Sequence, residues 1–116
     1  LFYIYAVKLL TKAYKKKITL FVSPMTYATA SYLLRKHGKE GMRKLLNNFR
    51  QLSQITTADE SVVDAALASS FDDYEDALQY YSALTRNVDV IVTRNKKDFT
   101  SASIPVLSPA ELLKQL

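Results

Sequence analysis

The chain has 116 residues, a formal net charge of +5 and 48% hydrophobic residues, which indicates one globular domain rather than two domains or a disordered chain. It contains no Cys and one His, which excludes disulfides and argues against thiolate and histidine-rich zinc sites. No apolar run approaches the roughly 20 residues of a membrane span, and no signal-peptide pattern opens the chain, so a cytoplasmic location is expected.

Charge is divided between the two halves of the chain. Residues 1–50 hold eleven Lys and Arg residues and one acid, Glu40, whereas residues 51–116 hold five basic and ten acidic side chains. The first half is therefore suited to attract a polyanion and the second to hold cations. The alternative is that both are ordinary solvated helix faces, and the sequence leaves the two interpretations open.

The first half alternates helix and strand. Apolar spacing predicts a helix from Phe2 to Tyr14, a strand from Ile18 to Val22, and helices from Pro24 to His37 and from Glu40 to Leu52. Ser23 is expected to cap the second helix, with Pro24 in its first turn and Gly38 at its end. The short connection at Gly38 predicts an antiparallel helical hairpin.

The second half continues the alternation. The pattern predicts a strand near Ile55 to Thr57, a helix from Glu60 to Ser69 capped near Asp59 and a helix through Leu84 capped by Asp72 or Asp73. It then predicts a strand from Val88 to Thr93, a core position for Phe99, an edge strand at Ile104 to Val106 and, after the cap Ser108 and Pro109, a helix from Ala110 to Gln115. Strands separated by helices predict an α/β fold with a parallel sheet. Ligands of such sheets bind beyond the carboxyl ends of the strands.

Acidic residues are concentrated where one helix begins and one strand ends. Asp72, Asp73, Glu75 and Asp76 fall within five positions, and Asp98 follows the apolar run that ends in Thr93-Arg94-Asn95. If both ends meet at one edge of the sheet, these carboxylates form a metal-sized site. The simpler interpretation is that Asp72 or Asp73 caps the helix and Asp76 favours its dipole.

Four segments of the sequence resemble a PIN domain: SPMTYATASYLLRK, DYEDALQYYSAL, DVIVTRNKKDF and SIPVLSPAELL. The resemblance covers about Phe2 to Leu113, in a single PIN-like domain spanning residues 1–116. It implies a three-layer α/β/α sandwich with a central parallel sheet and helices on both faces. It also implies bound Mg²⁺ or Mn²⁺, cleavage of RNA and dimerisation as a homodimer. Many small members are VapC-type toxins held by an antitoxin protein.

Only some of the acidic positions of the family's site have a matching acid in this sequence. The helix-borne acid matches Asp76, with Asp73 one turn earlier, while Asn95 stands where an acid is expected after the strand and Asp98 lies nearby. A further expected acid falls on Thr29, and the Asp of a first strand has no counterpart, as if that strand preceded Leu1. The implied roles are catalytic for Asp76, Asp98 and Asn95, metal-binding for Asp76, Asp98 and Asp73, and supporting for Thr93 and Thr29.

Basic residues near both halves of this pattern are candidate RNA contacts, namely Arg94, Lys96, Lys97, Arg35 and Lys36. Two functions remain open: a metal-dependent endoribonuclease, and a degenerate PIN-like domain that binds RNA or a protein partner without cleavage. An unrelated flavodoxin-like function is disfavoured because the two glycines, Gly38 and Gly41, cannot form a phosphate-binding loop.

Overall fold

The computed structural model describes residues 2–116, which alternate helices and short strands. In chain order the elements are α1 (Phe2–Tyr14), β1 (Leu20–Val22), α2 (Pro24–Leu33), a 3₁₀ segment (Arg35–His37), α3 (Gly38–Arg50), β2 (Ser53–Ile55), α4 (Glu60–Ala68), α5 (Tyr74–Leu84), β3 (Ile91–Val92), a second 3₁₀ segment (Lys96–Phe99), β4 (Val106–Leu107) and α6 (Pro109–Lys114). The predicted α/β class is confirmed, and every predicted helix is present.

Three of the helices begin at the side-chain caps that the sequence predicts. Asp59 Oδ1 accepts a hydrogen bond from the backbone N–H of Val62 (3.1 Å) at the start of α4. Asp73 does the same for Asp76 at the start of α5 (2.9 Å). At α6, Ser108 forms a reciprocal capping box with Glu111. Each cap satisfies backbone donors that a helix leaves unpaired at its first turn.

The start of α2 differs from its prediction. Ser23 occupies the N-cap position, but its hydroxyl makes no capping bond there and instead donates to Gln79 Oε1 (2.6 Å) on α5. The tertiary bond replaces the local one because Ser23 is almost fully buried. The predicted single helix to His37 also ends earlier, at Leu33, and continues as the first 3₁₀ segment. Gly38 then turns the chain with a φ of 76°, a conformation that favours glycine.

The four strands pair in parallel, as predicted, but in two separate pairs. β1 pairs with β2 in the register Leu20 to Ser53, and β3 pairs with β4 in the register Ile91 to Val106. Within residues 2–116 no strand hydrogen-bonds the two pairs into one central sheet. Each strand is two or three residues long. β1 and β3 are shorter than the apolar runs that predicted them, because such a run extends beyond the part that finds a pairing partner. β2 begins two residues before the predicted segment at Ile55 to Thr57, and β4 ends one residue after the predicted Ile104 to Val106.

The best-buried side chains lie between α4, α5 and the segment before β4. Val62, Ala66, Ala77, Tyr80 and Phe99 are buried, which confirms the prediction that Phe99 is a core residue. An aromatic cluster joins these elements, because the ring of Phe71 contacts those of Tyr80 (5.3 Å between centroids) and Phe99 (5.9 Å). These contacts hold the start of α5 against the second 3₁₀ segment.

A buried hydroxyl network connects α5 to the first strand pair. Ser82 is fully buried, its hydroxyl donates to the carbonyl of Thr57, and it also hydrogen-bonds the Thr56 hydroxyl. Thr56 and Thr57 come directly after β2, so these bonds fix α5 at the carboxyl end of that strand. None of the described helices is both long and apolar enough to cross a bilayer.

Candidate functional site

Two segments separated in sequence bring carboxylates together beside the start of α5. Asp73 and Asp76 lie in the first turn of that helix, and Asp98 lies in the 3₁₀ segment that follows β3. The two segments are held together by the Phe71–Phe99 ring contact. The sequence expectation that the acidic helix start and the strand end meet is therefore met in the structure.

A small cleft lies between these segments. It measures about 70 Å³ and is lined by Ser70, Phe71, Asp72, Asp73, Asp76, Lys97, Asp98, Thr100 and Ser101. Four of these residues are aspartates and one is a lysine, so the cleft carries a net negative charge. A space of this size accommodates a cation with its waters rather than an organic cofactor.

The electrostatics of the cleft are concentrated on Asp76. Partial burial raises the pKa of its carboxyl above the ordinary value, and the nearby negative charges of Asp73, Asp98 and Glu75 raise this pKa further. Burial and like charges both disfavour the ionised form. A cation bound in the cleft would relieve both effects, so the site is arranged to gain from a positive ligand.

The carboxylates present suit a single hard cation. Mg²⁺ and Mn²⁺ prefer oxygen ligands, and Mg²⁺ commonly binds through one or two carboxylates while it keeps several waters. Asp76 and Asp98 provide two such groups whose charges interact across the cleft. Over residues 2–116, no group of three or more acidic or histidine side chains converges closely enough to enclose a metal ion. The donor set therefore fits a partly hydrated cation and not a fully enclosed one.

Asp73 contributes to the site in a different way. Its Oδ1 accepts the backbone N–H of Asp76 as the helix cap, and its carboxylate also lines the cleft. Capping and lining are therefore combined in one residue, where the sequence presented them as alternatives. The bond also holds the backbone that carries Asp76.

Three other predicted site residues lie outside the lining of the cleft. Asn95 is exposed, and its backbone N–H donates to the Thr93 hydroxyl (3.1 Å), so these two residues order the turn after β3. Thr29 is exposed on α2. The structure thus brings together Asp73, Asp76 and Asp98 and leaves Asn95, Thr93 and Thr29 apart from them.

The candidate RNA-binding residues fall in two regions. Lys97 lines the cleft, and Lys96 is bound to Glu111 (Nζ to Oε1, 3.0 Å). Arg94 is exposed and engaged in an interaction of its own. Arg35 and Lys36 lie in the first 3₁₀ segment, away from the cleft lining.

Sequence reasoning assigned no site role to three residues that matter here. Ser70 and Ser101 line the cleft and hydrogen-bond each other (3.2 Å) across 31 residues of sequence, and no local pattern signals such a pair. Gln79, one turn after Asp76, receives the bond from Ser23 and so connects α5 to the end of β1. The sequence did offer one signal for Gln79, since a residue three positions after Asp76 lies on the same face of the helix.

Comparison with known proteins identifies the family. A family model described as PIN domain matches residues 2–97, which is most of the chain. The match includes Asp73 and Asp76 and ends one residue before Asp98. The comparison with curated proteins gave no match, and the comparison with solved structures gave none either. The match agrees with the α/β fold and its parallel strand pairs. The chain therefore belongs to the PIN domain family.

Proposed function

We propose that this protein is a metal-dependent endoribonuclease whose active site is the acidic cleft at the start of α5. PIN domains are generally nucleases and typically use divalent metal ions. The observation that carries the proposal is the meeting of Asp73, Asp76 and Asp98 at one small cleft, where burial and the neighbouring carboxylates raise the pKa of Asp76.

Four residues of the cleft have a role in this proposal. Asp76 and Asp98 hold a Mg²⁺ or Mn²⁺ ion, and Asp73 fixes the helix turn that presents Asp76. A bound divalent ion would lower the pKa of a coordinated water and offset charge on the phosphate under attack. Lys97, which lines the same cleft, adds a positive group suited to a phosphate oxygen of the RNA.

We further propose that an additional strand, encoded upstream of Leu1, lies between β1 and β3. The division of the strands into two pairs supports this, because β1 and β3 each keep one unpaired edge. None of the apolar side chains in the four strands is fully buried, whereas parallel strands are normally covered on both faces. By resemblance to the family, such a strand would bring one more Asp to the site.

The biological setting is proposed from the family resemblance and from one exposed helix face. The resemblance to VapC-type proteins supports a toxin restrained by an antitoxin, acting in the cytoplasm. A homodimer is supported by exposed apolar side chains one turn apart on α4, Val63 and Leu67, of which Leu67 is 68% exposed. Burial of such a row in a partner would be favourable.

A degenerate, non-cleaving PIN domain is the second candidate. It is favoured by the limited donor set, because two carboxylates face the cation position and Asn95 and Thr29 replace expected acids. In that case the protein binds RNA or a protein partner through the same scaffold.

Calorimetric titration with Mn²⁺, with RNA cleavage followed in the same samples, tests the proposed function. We expect binding and cleavage in the parent protein and the loss of both in Asp76→Asn. Metal binding without cleavage would favour the degenerate domain. A folded parent that binds no Mn²⁺ would refute the metal site.

A second variant separates the two tasks of Asp73. Asp73→Ser keeps a good helix cap but removes one charge from the cleft. We expect near-parental thermal stability with weaker Mn²⁺ affinity. Equal Mn²⁺ affinity would mean that Asp73 serves the helix alone, and Asp73→Ala, which removes cap and charge together, provides the comparison.

A further inference from the structure

The helical hairpin of α2 and α3 projects from the rest of the molecule. At its base, the ring of Tyr27 packs on that of Phe49 (5.7 Å between centroids) and the Tyr27 hydroxyl bonds the Ser53 hydroxyl (2.8 Å). The start of α2 therefore lies beside the end of α3, and the first 3₁₀ segment forms the tip. The helices contact chiefly one another, that segment and β2, and neither contains a fully buried residue.

The hairpin carries a charge equal to the net charge of the protein. Residues 35–50 contain six Lys and Arg residues and one acid, a formal charge of +5, and the remaining residues hold ten of each sign. All six basic side chains are exposed, and none of them forms an ion pair within residues 2–116. They are Arg35, Lys36, Lys39, Arg43, Lys44 and Arg50. Residues 32–45, which hold all of these basic side chains except Arg50, are called the basic tip below.

Two basic side chains and one amide follow a single face of α3. Lys39, Arg43 and Asn47 recur every four residues, about 6 Å apart along the axis. Two positive charges at this spacing match the repeating charges of a polymer backbone. The amphipathic pattern of α3 turns its apolar residues to the other side, so the row faces solvent.

An exposed aromatic ring lies at the end of α2, just before the first 3₁₀ segment. Tyr32 is 62% exposed, and the guanidinium of Arg35 lies over its ring at 3.9 Å from the centroid. Arg35 also donates to the Tyr32 carbonyl (2.8 Å), which fixes the arginine against the ring. Exposed aromatic rings and stacked arginines beside basic grooves bind the bases of single-stranded nucleic acids.

We infer that the basic tip is a binding surface for single-stranded RNA, separate from the acidic cleft. Lys39 and Arg43 contact phosphates, and Tyr32 with Arg35 stacks a base. Until a cation is bound, the four aspartates of the cleft repel a phosphate backbone, so affinity for RNA in the absence of metal has to come from another surface. The choice of RNA over DNA rests on the proposed function.

An acidic protein partner is a less suitable occupant. Stable protein interfaces bury about 800 Å² on each side and have few charged residues at their centre. The basic tip has charged residues at its centre, and its exposed apolar side chains, Leu33 and Leu45, lie on separate helices.

Fluorescence anisotropy with a labelled single-stranded RNA in EDTA tests the inference, because cleavage cannot occur there. We expect the triple variant Arg35→Gln/Lys39→Gln/Arg43→Gln to bind at least about tenfold more weakly and to reduce the slope of log affinity against log salt by about 2. The matched control, Lys8→Gln/Lys15→Gln/Lys114→Gln, loses the same charge from exposed positions elsewhere. Equal losses in both variants would overturn the inference.

The stacking contact has its own test. Tyr32→Ala should weaken RNA binding by at least about fivefold, whereas Tyr32→Phe should retain it. A poly-glutamate peptide serves as the acidic-protein probe. The inference fails if a peptide with the same total charge as the RNA displaces it and if Tyr32→Ala changes neither the affinity for RNA nor the affinity for the peptide. The occupant would then be an acidic peptide.

The two proposals can fail independently. Binding that is lost in the basic-tip variant but unaffected by Asp76→Asn supports this inference even if no RNA is cleaved. If the basic-tip variant binds RNA as tightly as the parent and still cleaves it, the proposed nuclease function stands and the basic tip is not the RNA-binding surface.

Discussion

At the scale of single residues, the cleft is built from groups that destabilise one another. Among the hydrogen bonds of the described residues, none is donated to the carboxylate of Asp76. Burial and three neighbouring carboxylates raise the pKa of this group. Natural proteins keep such arrangements mainly at functional sites. The same strain is measurable in the absence of a metal.

Asp76→Asn is expected to raise the melting temperature of the metal-free protein at pH 7. The folded pKa of Asp76 is raised above the unfolded value of 3.8, so the folded state holds its proton to higher pH. Stability therefore falls as the pH rises from about 3.8 through the folded pKa, and the cost is fully present at neutral pH. Scanning calorimetry between pH 3 and 8 checks this, with Asp64→Asn on α4 as the control. A lower melting temperature in Asp76→Asn would contradict it.

The coupling between the two cleft segments has a separate consequence. Asp98→Asn removes one of the negative charges that raise the pKa of Asp76, so this pKa should move down towards its ordinary value. Carboxyl-carbon NMR titration of Asp76 measures the shift directly. Asp89→Asn, an exposed change near β3, is the control and should leave the titration of Asp76 where it is. An unmoved pKa in Asp98→Asn would mean that Asp98 does not face Asp76.

At the scale of elements, the helices follow from local chemistry. Asp59, Asp73 and Ser108 each cap the helix that their position in the sequence predicts, since a cap acts within three residues. Ser23 departs from its prediction because its partner, Gln79, is 56 residues away. Local signals cannot report a bond of that kind.

The site shows the same division between local and distant information. Asp73 and Asp76 follow from the helix start, and Asp98 follows from the end of the strand. The sequence could not predict that Ser70 and Ser101 line the same cleft, or that Thr93 and Asn95 lie outside its lining. Both outcomes depend on how the two segments pack around Phe71 and Phe99. The strand bounds were overestimated because an apolar run does not reveal which residues find a pairing partner.

The capping box of α6 provides a stability prediction at this scale. Ser108→Ala should lower the free energy of unfolding by about 1 kcal/mol, because the N–H of Glu111 loses its acceptor. Urea denaturation measures the change. Ser108→Asp should retain most of the stability, and a loss as large as that of Ser108→Ala would show that the hydroxyl acts in some other way.

Glu111 gives the same motif a pH dependence of opposite sign to that of Asp76. Hydrogen bonds from the Ser108 backbone and from Lys96 lower the pKa of Glu111 to about 2. The stabilisation is therefore complete above the unfolded value of 4.5 and is lost as the pH falls through about 2. In Glu111→Gln, the decline of stability between pH 4.5 and 2 should be shallower than in the parent, and a parallel decline would refute the assignment.

At the scale of the whole molecule, the surface is larger than the mass predicts. The accessible surface is 8054 Å², whereas a compact monomer of this mass exposes about 6,400 Å². The radius of gyration is 14.6 Å, against about 13 Å for a compact domain of this length. The projecting basic tip and the unjoined strand pairs account for such an excess, and both are places where a further segment or ligand would add contacts.

Extension of the chain upstream of Leu1 is therefore expected to stabilise the centre of the molecule. If a strand pairs with the free edges of β1 and β3, the amides of Leu20–Val22 and Ile91–Val92 should exchange with solvent more slowly in the extended protein than in residues 1–116. The amides of residues 38–44 provide an internal control, since they form the half of α3 farther from β2 and should exchange equally in the two proteins. Hydrogen exchange followed by NMR resolves these positions. Slower exchange at one pair alone would place the added strand at an outer edge, and unchanged exchange at both would refute the joined sheet.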